Sequence, residues 1–337
     1  MIRAWRYREG VDQPEELDVA ALPATDPDAL LWVECTNPTG DELAHLVTQL
    51  NFHEFVAEDL AHGQQRTKLD HYLDHFHVAV HDCELLGAID EAQGQVQLVT
   101  QEIDIVFADG WLLSVCQPAE NPEHPPYPMD AVKSAFERQR GDAGTNDEGF
   151  LLWALLDVVV DRYFLVSEAI DDRLDALQEA VLDEDIDRIR RGGPRELFDL
   201  SKALLRFRRA ALPLREVVGQ LVRREAPDIG GQALAHFQDL YDHVLRITDL
   251  MESQRDVLTG LRDADLAVTS NQMSHVQQKI AAWGAILLIA TLVTGFLGMN
   301  FRDAPEVSWA EGFLVILGVV ALLSVPLYWY FRRRKWL

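Results

Sequence analysis

The chain has 337 residues and a formal net charge of −25, with 30 Lys/Arg against 55 Asp/Glu. So acidic a chain repels phosphate backbones, which excludes nucleic acid as a partner. Its three cysteines are odd in number and widely spaced, which excludes a disulfide framework and fits reduced thiols.

The charge is uneven, because residues 280–337 hold five Lys/Arg and three Asp/Glu, so residues 1–279 carry −27. An acidic body of that size collects cations, although solubility alone also accounts for it. Met1 to Gly10 contains charged residues and no apolar stretch, so no secretory signal is expected and the acidic region is read as cytosolic. No Walker A loop, nucleophile motif or zinc-hydrolase spacing occurs, so the chain is not expected to be an enzyme.

Residues 1–147 mix strand and helix patterns and are expected to form an α/β domain. Ile2–Tyr7, Leu30–Cys35, Phe76–Cys83, Val96–Phe107 and Trp111–Cys116 are rich in β-branched and aromatic residues, whereas Asp41–Leu50 and Met129–Arg140 have helical patterning. His71, His75, His77, His81 and Cys83 cluster in sequence, and alternation along a strand puts His75, His77, His81 and Cys83 on one face. Imidazole and thiolate are ligands that Zn²⁺ prefers. Their spacing matches no compact zinc motif, however, and a solvated polar face on an amphipathic strand is the expectation.

Residues 148–279 are expected to be long helices. Gly149–Arg191 is acidic and Pro194–Arg224 basic, with a Gly-Gly-Pro break at 192–194, which together predict an antiparallel hairpin paired by charge. From Ala233 to Gly298 there is no proline, so one helix of 66 residues, roughly 100 Å at 1.5 Å per residue, is expected to run from a stalk into a membrane.

Residues 280–300 form the first span, since Ile280 to Phe301 contains no charged side chain and reaches the roughly 20 residues needed to cross a ~30 Å hydrocarbon core. Residues 301–311 form an external loop, residues 312–331 a second span, and residues 332–337 a basic tail. Arg332 to Lys335 mark the tail as cytoplasmic, so both termini are expected in the cytosol. Along the long helix Asn271, Ser274, Gln277, Ala281, Gly284, Leu288, Thr291, Gly295 and Gly298 recur at steps of three and four, a seam of mostly small or polar side chains that includes one leucine. Close helix packing explains such a seam, and so does a cation path. Two spans cannot enclose a pore, so a path must lie on the axis of a cyclic homo-oligomer. The narrow apolar part is expected at Ile280, Gly284 and Leu288.

At the outer end of the first span stand Gly298, Met299 and Asn300, followed by Phe301, the Pro305-Glu306 pair and, at the C-terminus, Lys335-Trp336-Leu337. In that context the tripeptide resembles the signature of the CorA family of divalent-cation channels. The resemblance implies a pentamer with an α+β cytosolic domain, a long helical stalk and a two-helix membrane region, carrying Mg²⁺, with Co²⁺ and Ni²⁺, down its gradient. It makes Gly298, Met299 and Asn300 the selectivity filter and Asp263 an acidic ring near the inner mouth. Segment 53–68 is similar to the family's Glu-Asp and Gln-Arg-Pro-Lys motif, with Thr67 in place of proline. By that likeness Glu58, Asp59, Asp157 and Asp239 are regulatory Mg²⁺ ligands, with Asp239 of one subunit opposite Asp59 of a neighbour. Mg²⁺ is then both cargo and regulator, no organic cofactor is expected, and the partners are the lipid bilayer and further copies of the chain. Two alternatives remain: a zinc transporter of the same superfamily, favoured by the histidines, and a non-conducting membrane-anchored metal sensor.

Overall fold

A computed structural model of the protein describes residues 1–11, 13–23, 29–72, 74–87, 96–143, 147–182, 193–223, 233–297 and 309–337. The β-branched and aromatic runs become strands β1 (Ile2–Arg8), β3 (Ala29–Thr36), β5 (Phe76–Leu86), β6 (Gln97–Ala108) and β7 (Trp111–Cys116), joined by short β2 (Glu15–Leu17) and β4 (Lys68–His71). They form one seven-stranded sheet in the order β2-β1-β3-β7-β6-β5-β4. β3 and β7 run parallel and every other neighbouring pair is antiparallel. β6 turns into β7 through Asp109-Gly110, where Ala108 pairs with Trp111 and Gly110 takes φ +78°. An Asp-Gly pair suits a two-residue hairpin because such turns need positive φ.

Helices α1 (Gly40–Leu50) and α2 (Glu54–His62) cover one face of the sheet. α1 starts in a capping box, with Thr39 and Glu42 each satisfying the other's backbone N–H, and ends on the left-handed Asn51. Leu43, Leu46, Val56 and Leu60 bury against Leu31, Val33, Val106, Leu113 and Val115. The larger core joins Trp32, Val78, Ile105, Phe107 and Leu112 to four helices: α3 (Met129–Ala143), α4 (Glu148–Leu182), α5 (Gly193–Val222) and the first part of α6 (Leu234–Leu297). Helix α7 (Trp309–Arg333) closes the chain.

Sheet and helices share this core, and the chain divides into two compact units, Met1–Leu261 and Arg262–Leu337. α6 belongs to both, as one uninterrupted helix of 64 residues. In the first unit α4 and α6 run side by side in the same direction: Phe150 meets His236, Phe164 meets His243, and Ser167 bonds Gln254.

The charge-paired hairpin is corrected in part. Arg206 of the basic helix α5 reaches Glu120 and the Leu98 carbonyl, and Arg162 of α4 reaches Asp82 and Glu84 on β5. Arg162 pairs with the sheet because α4 lies on β5, and Arg206 reaches the β6 carbonyl of Leu98 and Glu120 after β7 because α5 lies along β4, β5 and β6. Most of the acidic stretch around Asp183 to Asp187 lies outside the described residues.

Candidate functional site

Three places carry the expected site residues: the end of α2, the α4–α6 pair and the apolar half of α6.

Helix α2 is capped by His53, whose ring accepts from Phe55 N–H, and it ends at Gly63 with φ +60°. The chain then turns into β4, so that Asp59, near the end of α2, faces Lys68 at the start of the strand. The Lys68 ammonium lies 2.7 Å from Asp59 Oδ2 and 2.7 Å from Asp70 Oδ2. Burial works against this charge, but hydrogen bonds to the two carboxylates hold its pKa above the ordinary lysine value. Gln65 Nε2 donates to Asp59 Oδ1 at 3.1 Å. Glu58 is exposed.

Beneath this group lies His77, with no exposed surface. Asp70 of β4 pairs directly with His77 of β5. The His77 Nε2 is 3.0 Å from Asp104 Oδ1, and its Nδ1 is 3.9 Å from Asp59 Oδ2. Asp104 is also fully buried, and its second oxygen accepts from Gln117 Nε2 at 2.9 Å. Next to it both Glu102 oxygens accept from Gln65 N–H, at 3.1 and 3.0 Å. Burial, with the Asp104 charge adding to it, pushes the Glu102 carboxyl up to about 7.

The solvated histidine face is overturned. His75 and His77 are 2% and 0% exposed, Cys83 is buried in the larger core, and only His81 is half-buried. Neither the solvated face nor the shared one holds: helices cover both sides of the sheet, His77 lies against Asp59 of α2, and Cys83 joins the larger core with Phe76, Val78 and Val80. Nor do the four residues converge on one point. His75 pairs with Asp74 and stacks on Tyr72, His81 meets Thr67, and Cys83 has its thiol pKa raised by burial. Among the described residues, His77 instead joins Asp59 and Asp70 in a group whose ligand atoms all lie within 4.8 Å of one another.

Asp157 of α4 and Asp239 of α6 come into electrostatic reach of each other. Burial first, then Asp161, pushes the Asp157 carboxyl up to about 6, with Asp239 adding to the rise and His243 opposing it. The Asp239 side chain is 74% exposed and stands 4.0 Å from His243 Nε2. Within one chain Asp59 is not part of this pair; it belongs to the Lys68 group.

Two helices are long and apolar enough to cross a membrane, within Leu234–Phe296 and Leu314–Arg333, with mean hydropathy of 1.8 and 2.1 in their most apolar windows. Trp283 and Tyr328 tie them together, their ring centroids 6.5 Å apart. Asn271, Ser274, Gln277, Ile280, Ala281, Gly284, Leu288, Thr291 and Gly295 are all exposed, as is Asp263. A Cβ added at Gly284 or Gly295 would meet nothing within 4 Å. Leu287 and Leu292 are as exposed as the seam, so composition separates the two stripes where exposure does not. Ala282 is fully buried and Ile286, Ile289 and Val293 are half-buried, on a stripe that does not coincide with the seam. Gly298, Met299 and Asn300 lie outside the described residues.

Asp70, Asp104 and Gln117 were not singled out by the sequence. Their signal is strand register, which places Asp70 opposite His77 and Asp104 beside it, and register is not written in either strand alone.

The profile of the CorA-like Mg²⁺ transporter proteins matches residues 27–333. The cobalt/magnesium transport protein CorA of Thermotoga maritima is 27% identical over 319 residues, covering 94% of this chain and 86% of the relative. The complete structure of the CorA magnesium transporter from Methanocaldococcus jannaschii superimposes with a TM-score of 0.74 at 19% identity, covering 99% of this chain and 98% of that one. The zinc transport protein ZntB of Klebsiella pneumoniae is 24% identical over 195 residues, covering 58% of each chain.

Proposed function

The chain belongs to the CorA family of Mg²⁺ transporters, and on that premise we propose that it conducts Mg²⁺, with Co²⁺ and Ni²⁺, down the electrochemical gradient into the cytosol. The observation that carries this reading is the seam of α6. Within the span Ala281, Gly284, Thr291 and Gly295 form a small or polar stripe on an otherwise apolar helix and are exposed among the described residues, with Thr291 and Gly295 lining a groove beside Val315, Ile316 and Val319; Asn271, Ser274 and Gln277 continue the stripe toward the stalk. In hydrocarbon a stripe of small and polar groups needs a protein neighbour or water. Five copies around an axis supply both.

Mg²⁺ gives up its water reluctantly, so a ring of Asn300 amides and Gly298 carbonyls is suited to hold the hydrated ion. An inside-negative potential contributes about 2.3 kcal/mol per charge per 100 mV, roughly twice that for a divalent ion, so uptake needs no nucleotide. The two spans then lie in the plasma membrane, with the acidic first unit and the basic C-terminal tail in the cytosol. Cytosolic Mg²⁺ bound by Glu58, Asp59, Asp157 and Asp239 closes the path, and its loss leaves like charges that separate the subunits. Asp59 can take part only by sharing its carboxylate with Lys68, whereas Asp239 is open to a neighbour.

The test is ion flux through the purified protein in liposomes. Mg²⁺ uptake that Asn300→Ala abolishes, with oligomer size unchanged, supports the reading; uptake in the variant at the wild-type rate overturns the filter, and no flux in either favours a metal sensor. Preference for Zn²⁺ over Mg²⁺ as cargo in the same vesicles would favour the zinc-transporting branch.

A further inference from the structure

We propose that Asp59, Asp70 and His77 form a binding site within one subunit for a borderline transition cation such as Zn²⁺ or Co²⁺, and that the Lys68 ammonium is the resident cation such an ion displaces. The site is separate from the conduction path and does not depend on the transport reading.

Three features of the group point to a metal. The ligand atoms of the three residues lie within 4.8 Å of one another. Zn²⁺ ligands at 2.0–2.1 Å from the ion stand at most about 4 Å apart, so small side-chain rotations close the shell. A cation is already stable between two of them, because Lys68 Nζ is 2.7 Å from both Asp59 and Asp70. The Lys68 side chain is 27% exposed, so it can withdraw toward solvent while a metal takes its place.

The decisive feature is the imidazole. His77 is wholly buried, and its Nδ1 has no hydrogen-bond partner. With Nε2 donating in the 3.0 Å contact to Asp104, the neutral ring presents the Nδ1 lone pair toward Asp59, 3.9 Å away. A buried acceptor without a donor is unfavourable by about 1–3 kcal/mol, and a metal ion removes that penalty. Asp104 in turn is oriented by Gln117, which also donates to the Leu60 carbonyl. Carboxylate behind imidazole behind metal is the arrangement that fixes the tautomer and raises ligand basicity in metal sites. One nitrogen and two carboxylate oxygens, with water on the exposed side, suit Zn²⁺ or Co²⁺ better than Mg²⁺, which favours an all-oxygen shell.

The experiment is titration of full-length protein in detergent with Zn²⁺, competed against a fluorescent chelator in Mg²⁺-free buffer, because Asp59 is also a ligand of the proposed regulatory Mg²⁺ site. One Zn²⁺ per chain is expected to bind. Asp70→Asn, a half-exposed change on an edge strand, should weaken that binding by about tenfold or more, as should His77→Gln. Lys68→Met should tighten it by about tenfold, because the competing ammonium is gone. Equal zinc affinity in wild type and Asp70→Asn would overturn the proposal, as would a Lys68→Met protein that binds zinc no tighter. Mg²⁺ flux reads the transport proposal separately, so either can fail alone.

Discussion

Gln254 of α6 donates through Nε2 to both the carbonyl oxygen and the hydroxyl of Ser167 on α4, at 2.9 and 2.8 Å, and both residues are buried. This two-fold bond, with the Asp171 carboxylate beside it, sits in a largely apolar contact between the two helices, with Ile247, Met251 and Leu258 nearby on α6. A polar clamp in such surroundings sets the register of one helix against the other.

Gln254→Ala removes the donor and leaves the Ser167 hydroxyl buried without it. The expected loss is about 1–3 kcal/mol of stability in the first unit. Thermal unfolding of the detergent-solubilised protein checks this, and the double variant Gln254→Leu/Ser167→Ala should recover part of the loss because it removes the Ser167 hydroxyl together with its donor.

Gly284 meets no heavy atom within 4 Å of where its Cβ would lie, so Gly284→Leu meets no obstacle inside its own chain. If the seam faces other copies around a pore, the same change should cut flux by about tenfold or more or break the oligomer. Liposome flux together with size-exclusion chromatography measures both. A variant that assembles and conducts like wild type would mean that the seam faces lipid.

Replacing Asp59 and Asp239 together by Asn tests regulation, since it removes a Mg²⁺ ligand from each side of the expected subunit contact. Flux should lose its response to cytosolic Mg²⁺. The control is Asp239→Asn alone, at a side chain 74% exposed, which should leave folding unchanged. Full Mg²⁺-dependent inhibition in the double variant would remove these carboxylates from gating.

Glu102 gives a pH signature. Burial raises its carboxyl from 4.5 to about 7 in the folded protein, so folding favours the protonated form. A raised carboxyl pKa contributes stability that is complete below the unfolded value and is lost as pH rises through the folded value. Glu102→Gln keeps a neutral acceptor at every pH. Melting temperatures of variant and wild type should therefore agree near pH 4 and diverge above pH 7, the variant melting higher. A constant offset across that range would show that the carboxyl is not titrating there.

Much of this protein is legible in its linear pattern, because each such feature is periodic or local. Trp111–Cys116 appears as a strand of just those residues, and the absence of proline from Ala233 to Gly298 forecasts one long helix that starts within a residue of the observed Leu234 and is unbroken through the described residues. The uncharged runs identify two helices able to cross a membrane, since length and hydropathy are properties of consecutive residues. What alternation could not tell was which layers lie over each face of β5. His75, His77 and Cys83 look like the polar side of an amphipathic strand, yet helices on both sides of the sheet bury them. The neighbours of Asp59 were equally hidden, although Lys68 stands only nine residues away, because the turn after Gly63 brings Lys68 back onto α2 and the pairing of β4 with β5 sets Asp70 against His77. Hydropathy is carried by the order of residues along the chain; contacts between strands and helices depend on register and packing, which exist only once the sheet has formed.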